Sequence, residues 1–326
     1  MKRILVTGAA GQVGSELVPA LRAIYGEASV LASDIKAAPE LAPFVSLDCT
    51  DAAAVAEAVR RHRADTVYHL AAILSATAEK NPQRAYAVNM NSLANVLEVA
   101  RTAECAVFTP SSIAAFGPST PPDPTPQDTI QRPTTMYGVT KVAGELLCDY
   151  YHSRYGVDTR GLRYPGLISY VTAPGGGTTD YAVEIFYAAL ERGRYTCFLA
   201  ADTQLDMMYM PDAVRASIEV MEADARRLQH RNAFNIGAMQ FTPGQLGAAI
   251  RGHRPDFELS YAVDPVRQAI AQSWPKRLDD SAARAEWGWA PRYDMAALVA
   301  DMLEKLATKL GVAGRDVGTA GAAGHG

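Results

Sequence analysis

The sequence predicts an α/β fold in which a doubly wound parallel sheet carries a smaller C-terminal α/β lobe. Short apolar runs, such as RILVT at residues 3–7, alternate with helical patterns through the first half of the chain. The runs are apolar throughout, which is typical of strands covered by helices on both faces. Glycines follow the first run directly, where a strand is expected to turn into a helix.

The individual elements follow from the same alternation. Strands are predicted at RILVT, SVLAS, FVSL, TVYHLA, AVFTPS and DTRGLRY. Helices are predicted at SELVPALRAIY, DAAAVAEAVRRH, NPQRAYAVNMNSLANVLEVARTA and TTMYGVTKVAGELLCDYYHSRYG. From about residue 165 the alternation becomes irregular. Residues 1–165, with returning segments, are therefore predicted to form one domain and 166–312 mainly a second lobe, while the Gly/Ala-rich residues 313–326 are expected to be disordered.

Composition limits the partners. The 326 residues carry a formal net charge of -4, and no run of Lys or Arg could follow a phosphate backbone, so no nucleic acid is expected. No apolar run reaches the length of a membrane span, so no membrane partner is expected. The cysteines form no CxxC pair, which predicts reduced thiols in a cytoplasmic protein and no metal site. They are Cys49, Cys105, Cys148 and Cys197.

The stretch VTGAAGQVGSEL predicts a Rossmann-type dinucleotide site. Gly8, Gly11 and Gly14 lie between a strand and a helix, with Gln12 and Val13 in the turn. Such glycines allow a tight turn and let backbone amides approach a pyrophosphate at the positive end of the helix. The sequence therefore predicts a bound dinucleotide.

Two acidic residues follow at predicted strand ends. Asp34 comes 20 residues after Gly14, at the end of the second strand. A carboxylate there accepts hydrogen bonds from the adenosine ribose and repels a 2′-phosphate, which favours NAD over NADP. Asp48 closes the third strand and is expected either to reach the adenine or to cap the helix that starts at Asp51.

The pair Tyr137 and Lys141 predicts proton-transfer chemistry. The two residues are four apart, so on a helix they share one face. A neighbouring ammonium favours the phenolate and lowers the pKa of tyrosine, so Tyr137 can take a hydroxyl proton while a hydride leaves the same carbon.

The pattern TGxxGxxG from Thr7 to Gly14, with YxxxK, resembles the extended short-chain dehydrogenase/reductase family over nearly the whole chain. Counting back five residues from Gly117, the resemblance selects Ser112 rather than Ser111 to hold the substrate oxygen. It also implies that Lys141 holds the nicotinamide ribose. Asn89 is implied either to support the lysine's proton path or to be a buried, hydrogen-bonded helix residue.

The resemblance implies further contacts and a homodimer. In HLAA, residues 69–72, Leu70, Ala71 and Ala72 would approach the cofactor, while His69 is expected to be structural. The stretch after the sixth strand would add Tyr164, Pro165 and Leu167 to the cofactor site. Family members commonly dimerise through two helices, for which residues 85–102 and 137–153 are the candidates.

The substrate is inferred from departures within that family. Relatives acting on nucleotide sugars usually carry RYFN after the sixth strand, whereas this chain has RYPG at residues 163–166. Three stretches resemble the short-chain type of L-threonine 3-dehydrogenase: YPGLIS with PGGGTTDYAVEIF, AAILSATAEKNP, and WPKRLDDSAARAEWGWAPRYDM. This implies NAD-dependent oxidation of L-threonine to 2-amino-3-oxobutanoate, with Tyr137 as general base. A nucleotide-sugar epimerase/dehydratase, a dehydrogenase of another small 3-hydroxy acid and a catalytically silent NAD sensor remain alternatives.

A glycine-rich loop is the expected substrate site. Gly175, Gly176 and Gly177 would form a hinge, and the residues after them would receive the amino acid at a helix start. The expected ligands are Ser75, Ser112, Tyr137, Gly177, Thr178, Thr179 and Asp180. The alternative for Thr179 and Asp180 is that they only cap the helix. Arg163 and Asp212 are expected to be structural partners between the lobes.

Overall fold

A computed structural model describes residues 1–174 and 177–312. The strands are β1 (Ile4–Thr7), β2 (Val30–Asp34), β3 (Phe44–Ser46), β4 (Thr66–His69), β5 (Ala106–Phe108), β6 (Ser111–Ser112), β7 (Thr159–Arg160), β8 (Leu162–Tyr164), β9 (Gly166–Ile168), β10 (Arg194–Cys197), β11 (Leu205–Tyr209), β12 (Phe234–Asn235), β13 (Met239–Phe241) and β14 (Glu258–Tyr261). The helices are α1 (Gly14–Tyr25), α2 (Ala52–His62), α3 (Ser75–Lys80), α4 (Pro82–Ala103), α5 (Met136–Tyr155), α6 (Tyr181–Glu191), α7 (Met210–Glu222), α8 (Pro243–His253), α9 (Pro265–Gln272), α10 (Ser281–Trp287) and α11 (Met295–Leu310).

The main sheet is parallel and covered on both faces. Its six strands run in the order β3-β2-β1-β4-β5-β7, and all pairings are parallel. Ile4 and Val6 of β1 pack in one core with residues of α1 and α7, whereas Leu5 packs in another with residues of α2 and α4. Successive strand residues point to opposite faces, so one short strand serves both cores. The predicted doubly wound sheet is thereby confirmed.

The predicted strand DTRGLRY is wrong as a single element. Its first part, β7, pairs with β5 in the main sheet, whereas β8 pairs with β6 and β12 in a second sheet. The break falls at Gly161, where an added Cβ would lie 2.5 Å from the carbonyl oxygen of Thr109. The close backbone contact requires glycine and separates the two pairings.

The later part of the chain builds a second core. Strands β9, β11 and β13 form one small sheet and β10 and β14 another. Helices α6, α8 and α11 pack together around residues such as Phe186, Phe241 and Met302. The division at residue 165 stays a prediction, and residues 175, 176 and 313–326 lie outside the described part of the chain.

Several features of the described residues bear on partners. All four cysteines are free and buried. Within residues 1–174 and 177–312, no group of three or more His, Cys, Asp or Glu side chains is arranged to hold a metal ion. No helix in the same ranges combines the length and apolarity of a membrane span.

Candidate active site

The glycine turn joins β1 to α1 under tight steric constraints. Gly8 has a φ of +69°, and a Cβ there would lie 2.6 Å from the backbone nitrogen of Ala71. A Cβ at Gly14 would lie 2.6 Å from the carbonyl oxygens of Gly8 and Ala9. The turn thus brings the start of α1 against the loop after β4, where Leu70 donates a backbone hydrogen bond to Thr7. This loop is the segment predicted to approach the cofactor.

The start of α1 suits a pyrophosphate. The N-cap position is Val13, and no side chain caps the first amides. Gln12 lies just before it, and its carbonyl oxygen accepts a hydrogen bond from Ser15 Oγ at 3.0 Å. An uncapped helix start behind a glycine turn offers backbone N–H groups and a positive dipole end to an anion. The residues present therefore fit a dinucleotide.

Asp34 is the last residue of β2, as predicted. Its carboxylate accepts hydrogen bonds from the amide of Ala10 at 3.1 Å and from the amide of Lys36 at 3.0 Å. The first bond fixes the carboxylate beside the glycine turn. Asp34 therefore lies where an adenosine ribose would meet it if a dinucleotide occupied the turn.

Asp48 does not close a strand and does not cap α2. Strand β3 ends at Ser46, and the exposed carboxylate of Asp48 accepts hydrogen bonds from the amide and hydroxyl of Thr50. Asp51 caps α2 instead, accepting from the amides of Ala53 and Ala54. The capping alternative for Asp48 was therefore wrong, and its contact with adenine stays a prediction.

His69 is buried and structural in its contacts. Its Nδ1 lies 2.9 Å from Thr7 Oγ1, and its Nε2 lies 3.3 Å from Ser92 Oγ. Burial lowers the pKa of His69 to about 3, so the ring is neutral at pH 7. It links β1, β4 and α4 beneath the cofactor loop.

Tyr137 lies in the first turn of α5 and is buried. Thr135 caps this helix through the amide of Gly138, and Glu79 of α3 accepts a hydrogen bond from the amide of Met136 at 2.7 Å. The start of α5 is thus held from two sides. Burial raises the pKa of Tyr137 to about 12, against the lowering effect of a hydrogen bond with Ser112.

Ser112 ends β6, as the residue counted back from Gly117. Its Oγ accepts a hydrogen bond from the amide of Ala114 at 3.2 Å. Ser111 points elsewhere, because its Oγ donates to the buried carboxylate of Glu145. The arrangement favours Ser112 as the partner of Tyr137.

Lys141 shares a helix face with Tyr137, as the spacing predicted. Its Nζ lies 5.4 Å from the centre of the Tyr137 ring and donates to the carbonyl of Pro110 at 2.6 Å. Burial lowers the pKa of Lys141 to about 8, while Glu145 opposes the shift. In the chain without its cofactor, burial dominates and raises the pKa of Tyr137. The expected lowering, which also involves the positive charge of oxidised nicotinamide, stays a prediction.

Asn89 on α4 holds the cofactor loop. Its side-chain oxygen accepts from the amide of Ile73 at 2.7 Å, and its amide group donates to the Ile73 carbonyl and to Thr140 Oγ1, each at 3.1 Å. Of the two alternatives, these contacts support the buried, hydrogen-bonded helix residue. Asn89 also lines the cavity beside Lys141, and its contribution to a proton path stays a prediction.

Tyr164 is the last residue of β8, and its side chain lies in the core. Its ring packs in the core shared with α7, and its hydroxyl bonds to Ser217 Oγ. The side chain therefore packs against α7, and the cofactor contact of Tyr164 stays a prediction. Pro165 is buried, and Leu167 is half-buried against the same core.

The described part of the substrate loop precedes α6. Thr178 is buried, and Gly177 donates its amide to the Asp180 carboxylate at 2.7 Å. Asp180 occupies the N-cap position of α6, but its side chain makes no capping hydrogen bond to the helix. Whether Thr179 and Asp180 contact the substrate stays a prediction. Ser75 is the half-buried first residue of α3, which packs against α5. Two of the three hinge glycines lie outside the described residues.

Sequence reasoning missed a buried polar cluster behind the site. The carboxylate of Glu145 pairs with Arg163 at 2.8 Å, and both side chains are buried. Asp212 instead pairs with Arg215 at 2.8 Å, so the expected Arg163–Asp212 partnership was wrong. The available signal was spacing, because Glu145 follows Lys141 by four residues and shares its helix face.

The sequence matches a known protein family along most of its length. Residues 4–237 match the model of the NAD dependent epimerase/dehydratase family. An uncharacterized epimerase/dehydratase of Staphylococcus haemolyticus is 56% identical over 314 residues, covering 95% of this chain and 99% of that protein.

Solved structures of similar proteins cover nearly the whole chain. An L-threonine dehydrogenase from Clostridium difficile has a TM-score of 0.93 at 55% identity, covering 95% of this chain and 98% of its own. A GalE-like L-threonine dehydrogenase from Cupriavidus necator, in its holo form, has a TM-score of 0.91 at 54% identity. The match covers 93% of this chain and 99% of that protein. A monomeric L-threonine 3-dehydrogenase from a metagenome has a TM-score of 0.90 at 45% identity. The match covers 94% of this chain and 99% of that protein.

These matches agree with the site. The glycine turn fits a dinucleotide, and Ser112, Tyr137 and Lys141 lie together at the N-terminal part of α5 and the end of β6. The chain belongs to the NAD-dependent epimerase/dehydratase family, the extended short-chain dehydrogenases/reductases, and is an oxidoreductase with a nicotinamide cofactor.

Proposed function

We propose that the protein oxidises the 3-hydroxyl of L-threonine to a ketone, giving 2-amino-3-oxobutanoate, with NAD as the cofactor. The observation that carries the proposal is the similarity of almost the entire chain to L-threonine dehydrogenases, at 55% identity for the first of them. Within the site, the support comes from the grouping of Ser112, Tyr137 and Lys141.

Each residue has a role in the proposed reaction. The glycine turn and Asp34 would hold NAD, which would supply the acceptor for the hydride that leaves C3 of the substrate. Ser112 holds the substrate hydroxyl oxygen, and Tyr137, as phenolate, takes the hydroxyl proton. Lys141 stabilises the phenolate by its charge. Because the buried phenol has a pKa of about 12, this help from neighbouring positive charge is required near neutral pH.

Neighbouring side chains pack tightly against Gly166. A Cβ added at Gly166 would lie 2.5 Å from Met207 Sδ and 2.8 Å from Thr179 Cγ2. An asparagine at this position, as in the nucleotide-sugar relatives, would displace both side chains. The packing therefore leaves no room for the asparagine that would contact the pyrophosphate of a sugar nucleotide, which supports a different substrate class.

The proposed substrate ligands lie on α3 and before α6. Thr178 and Thr179 would hydrogen-bond the carboxylate, together with the hydroxyl of Ser75, while the amide of Gly177 holds Asp180 in place. Asp180 would attract the ammonium group. A small zwitterion offers little apolar surface, so its affinity must come from a few such polar contacts in an enclosed site.

The test is formation of NADH by purified protein supplied with L-threonine. L-Allo-threonine, L-serine, D-3-hydroxybutyrate and a UDP-hexose are run beside it, each with NAD and NADP, and Tyr137→Phe is the blank. NADH formation with L-threonine and NAD, lost in the variant, is the expected result. Activity only on another hydroxy acid, or conversion of the UDP-hexose without net NADH, contradicts the proposal.

We also propose that the protein is a homodimer formed through α4 and α5. Large apolar side chains are exposed on these helices: Tyr86 by 51%, Val139 by 43%, Leu146 by 62% and Tyr150 by 51%. Such exposure on packed neighbouring helices is typical of an interface. Light scattering should give twice the 34.9 kDa chain mass, falling to one chain in Leu146→Glu; a wild-type mass of one chain contradicts the proposal.

A cytoplasmic location is proposed from the cysteines. All four are free and buried, which is typical of a reducing compartment. Recovery of the native protein mainly from secreted or membrane fractions would contradict this location.

A further inference from the structure

Glu145 joins the three segments that form the catalytic site. It lies on α5, one turn after Lys141 and two turns after Tyr137. Its buried carboxylate accepts hydrogen bonds from Ser111 Oγ, from Gln131 Nε2 at 2.7 Å and from Arg163 Nη2 at 2.8 Å. These partners lie on β6, on the segment before α5 and on β8.

Glu145 and Lys141 hold the same short segment from two sides. Lys141 Nζ donates to the carbonyl of Pro110, and Glu145 accepts from the hydroxyl of the next residue, Ser111. Ser112 follows directly. A change in either contact would therefore move the hydroxyl that faces Tyr137.

Lys141 and Glu145 both line one small cavity. Its volume is about 30 Å³, and Lys141, Glu145, Asn89, Thr140 and Ser111 are among its lining residues. A cavity of this size has room for one or two waters bonded to polar walls. The Glu145 side chain is buried, so its charge acts on Lys141 with less screening by solvent than at a surface.

We propose that Glu145 is a positioning residue for the reaction: it orients Ser112 through Ser111, and its charge keeps Lys141 protonated. The inference rests on the roles of Tyr137 and Lys141 proposed above. Without the carboxylate, Lys141 would lose the anion that opposes the effect of its burial, and burial alone disfavours the protonated amine.

The surrounding charges support this assignment. Burial lowers the pKa of Lys141 to about 8, and Glu145 and then Cys148 act in the opposite direction. The titratable and charged groups near the pair on α5, β4 and β8 are Tyr137, Cys148, Asp149, His69 and Arg163. His69 is neutral and Cys148 is a thiol whose pKa burial raises, so Glu145 is the anion that favours the Lys141 cation.

The first experiment titrates Lys141 itself by NMR of protein labelled with 13C-lysine. The resonance is assigned by its absence in Lys141→Met. We expect Glu145→Gln to move the Lys141 titration down by about one pH unit or more. Asp212→Asn removes another buried, arginine-paired carboxylate and should leave the titration in place. An unchanged Lys141 titration in Glu145→Gln overturns the electrostatic part of the inference.

The second experiment separates position from charge. Ser111→Ala removes one hydrogen bond to Glu145 and keeps its charge, so kcat should fall about tenfold while the KM for NAD and the Lys141 titration stay the same. If Ser111→Ala keeps the wild-type kcat, the positioning role is overturned. This test remains valid even when Glu145→Gln does not fold. The NMR titration needs no substrate, so failure of the L-threonine assay and failure of this inference are distinguishable.

Discussion

The Lys141 ammonium lies 5.4 Å from the centre of the Tyr137 ring, one helical turn away on α5. Yet burial raises the pKa of Tyr137 to about 12 and lowers that of Lys141 to about 8. The chain alone therefore keeps the phenol protonated near neutral pH. In the proposed reaction, the Tyr137 phenolate therefore needs additional positive charge at the site.

Loss of the Lys141 charge should accordingly impair the base. We expect Lys141→Met to lower kcat about a hundredfold and to move the acidic limb of the pH profile of kcat/KM upward, because the phenolate loses its nearest cation. The measurement is steady-state kinetics across pH. Lys141→Arg, which keeps a charge, is the control. A profile with an unmoved limb in Lys141→Met would contradict the role.

Asp34 should set the preference for NAD over NADP. The expected effect of Asp34→Asn is a rise in the KM for NAD of about tenfold, because a charged acceptor for the ribose is weakened. The ratio of kcat/KM for NAD to that for NADP should fall as repulsion of the 2′-phosphate is removed. If both cofactors keep their wild-type values, Asp34 has no such role.

Gly166 should tolerate no side chain. In Gly166→Ala the new Cβ would lie 2.5 Å from Met207 Sδ, so Met207 must move within a packed core, at a cost of about 1–3 kcal/mol in the free energy of unfolding. Turnover should fall while NAD affinity is retained. Gly252→Ala is the matched control, since nothing lies within 4 Å of its added Cβ. On α8 it should stabilise the protein by about 0.5–1 kcal/mol. Equal behaviour of the two variants would refute the packing argument.

Thr178 should contribute to substrate affinity. It is buried in the loop before α6. Thr178→Val keeps the shape and removes the hydroxyl, so the KM for L-threonine should rise about tenfold with the KM for NAD unchanged. A selective rise in the KM for NAD instead would place Thr178 outside the substrate site.

His69 should make the protein sensitive to acid. Its folded-state pKa of about 3 lies below the ordinary value of 6.5, so its contribution to stability is full above pH 6.5 and is lost as the pH falls toward 3. The free energy of unfolding should fall in this window by up to about 1.4 kcal/mol per pH unit for this one group. Urea unfolding at several pH values should show a shallower dependence in His69→Gln than in the wild type. The exposed His253→Gln serves as control, and an identical slope in all three proteins would exclude His69 as the cause.

Several features were predictable because they depend on residues close together in the chain. The turn from β1 through Gly8 and Gly14 into α1 and the placing of Asp34 at the end of β2 follow from local patterns. So does the shared face of Tyr137 and Lys141. These features follow from the steric requirement for glycine in the turn or from the period of a helix. Neither of these two causes involves residues far apart in the chain.

Other features depended on which distant segments meet. The pairing of β7 with β5 and of β8 with β6 was decided by contacts between strands far apart in the chain, and the partner of the Tyr164 hydroxyl by the packing of α7.

By itself, then, the sequence determined the sheet, the glycine turn and the catalytic helix face, because local sterics and helical periodicity act over a few residues. Only the tertiary structure decided that Glu145 faces both Ser111 and Arg163, and that Met207 fills the space over Gly166. The physical reason is that the partners of a buried charge come from residues far apart in the chain. The same holds for the residues that surround a buried side chain.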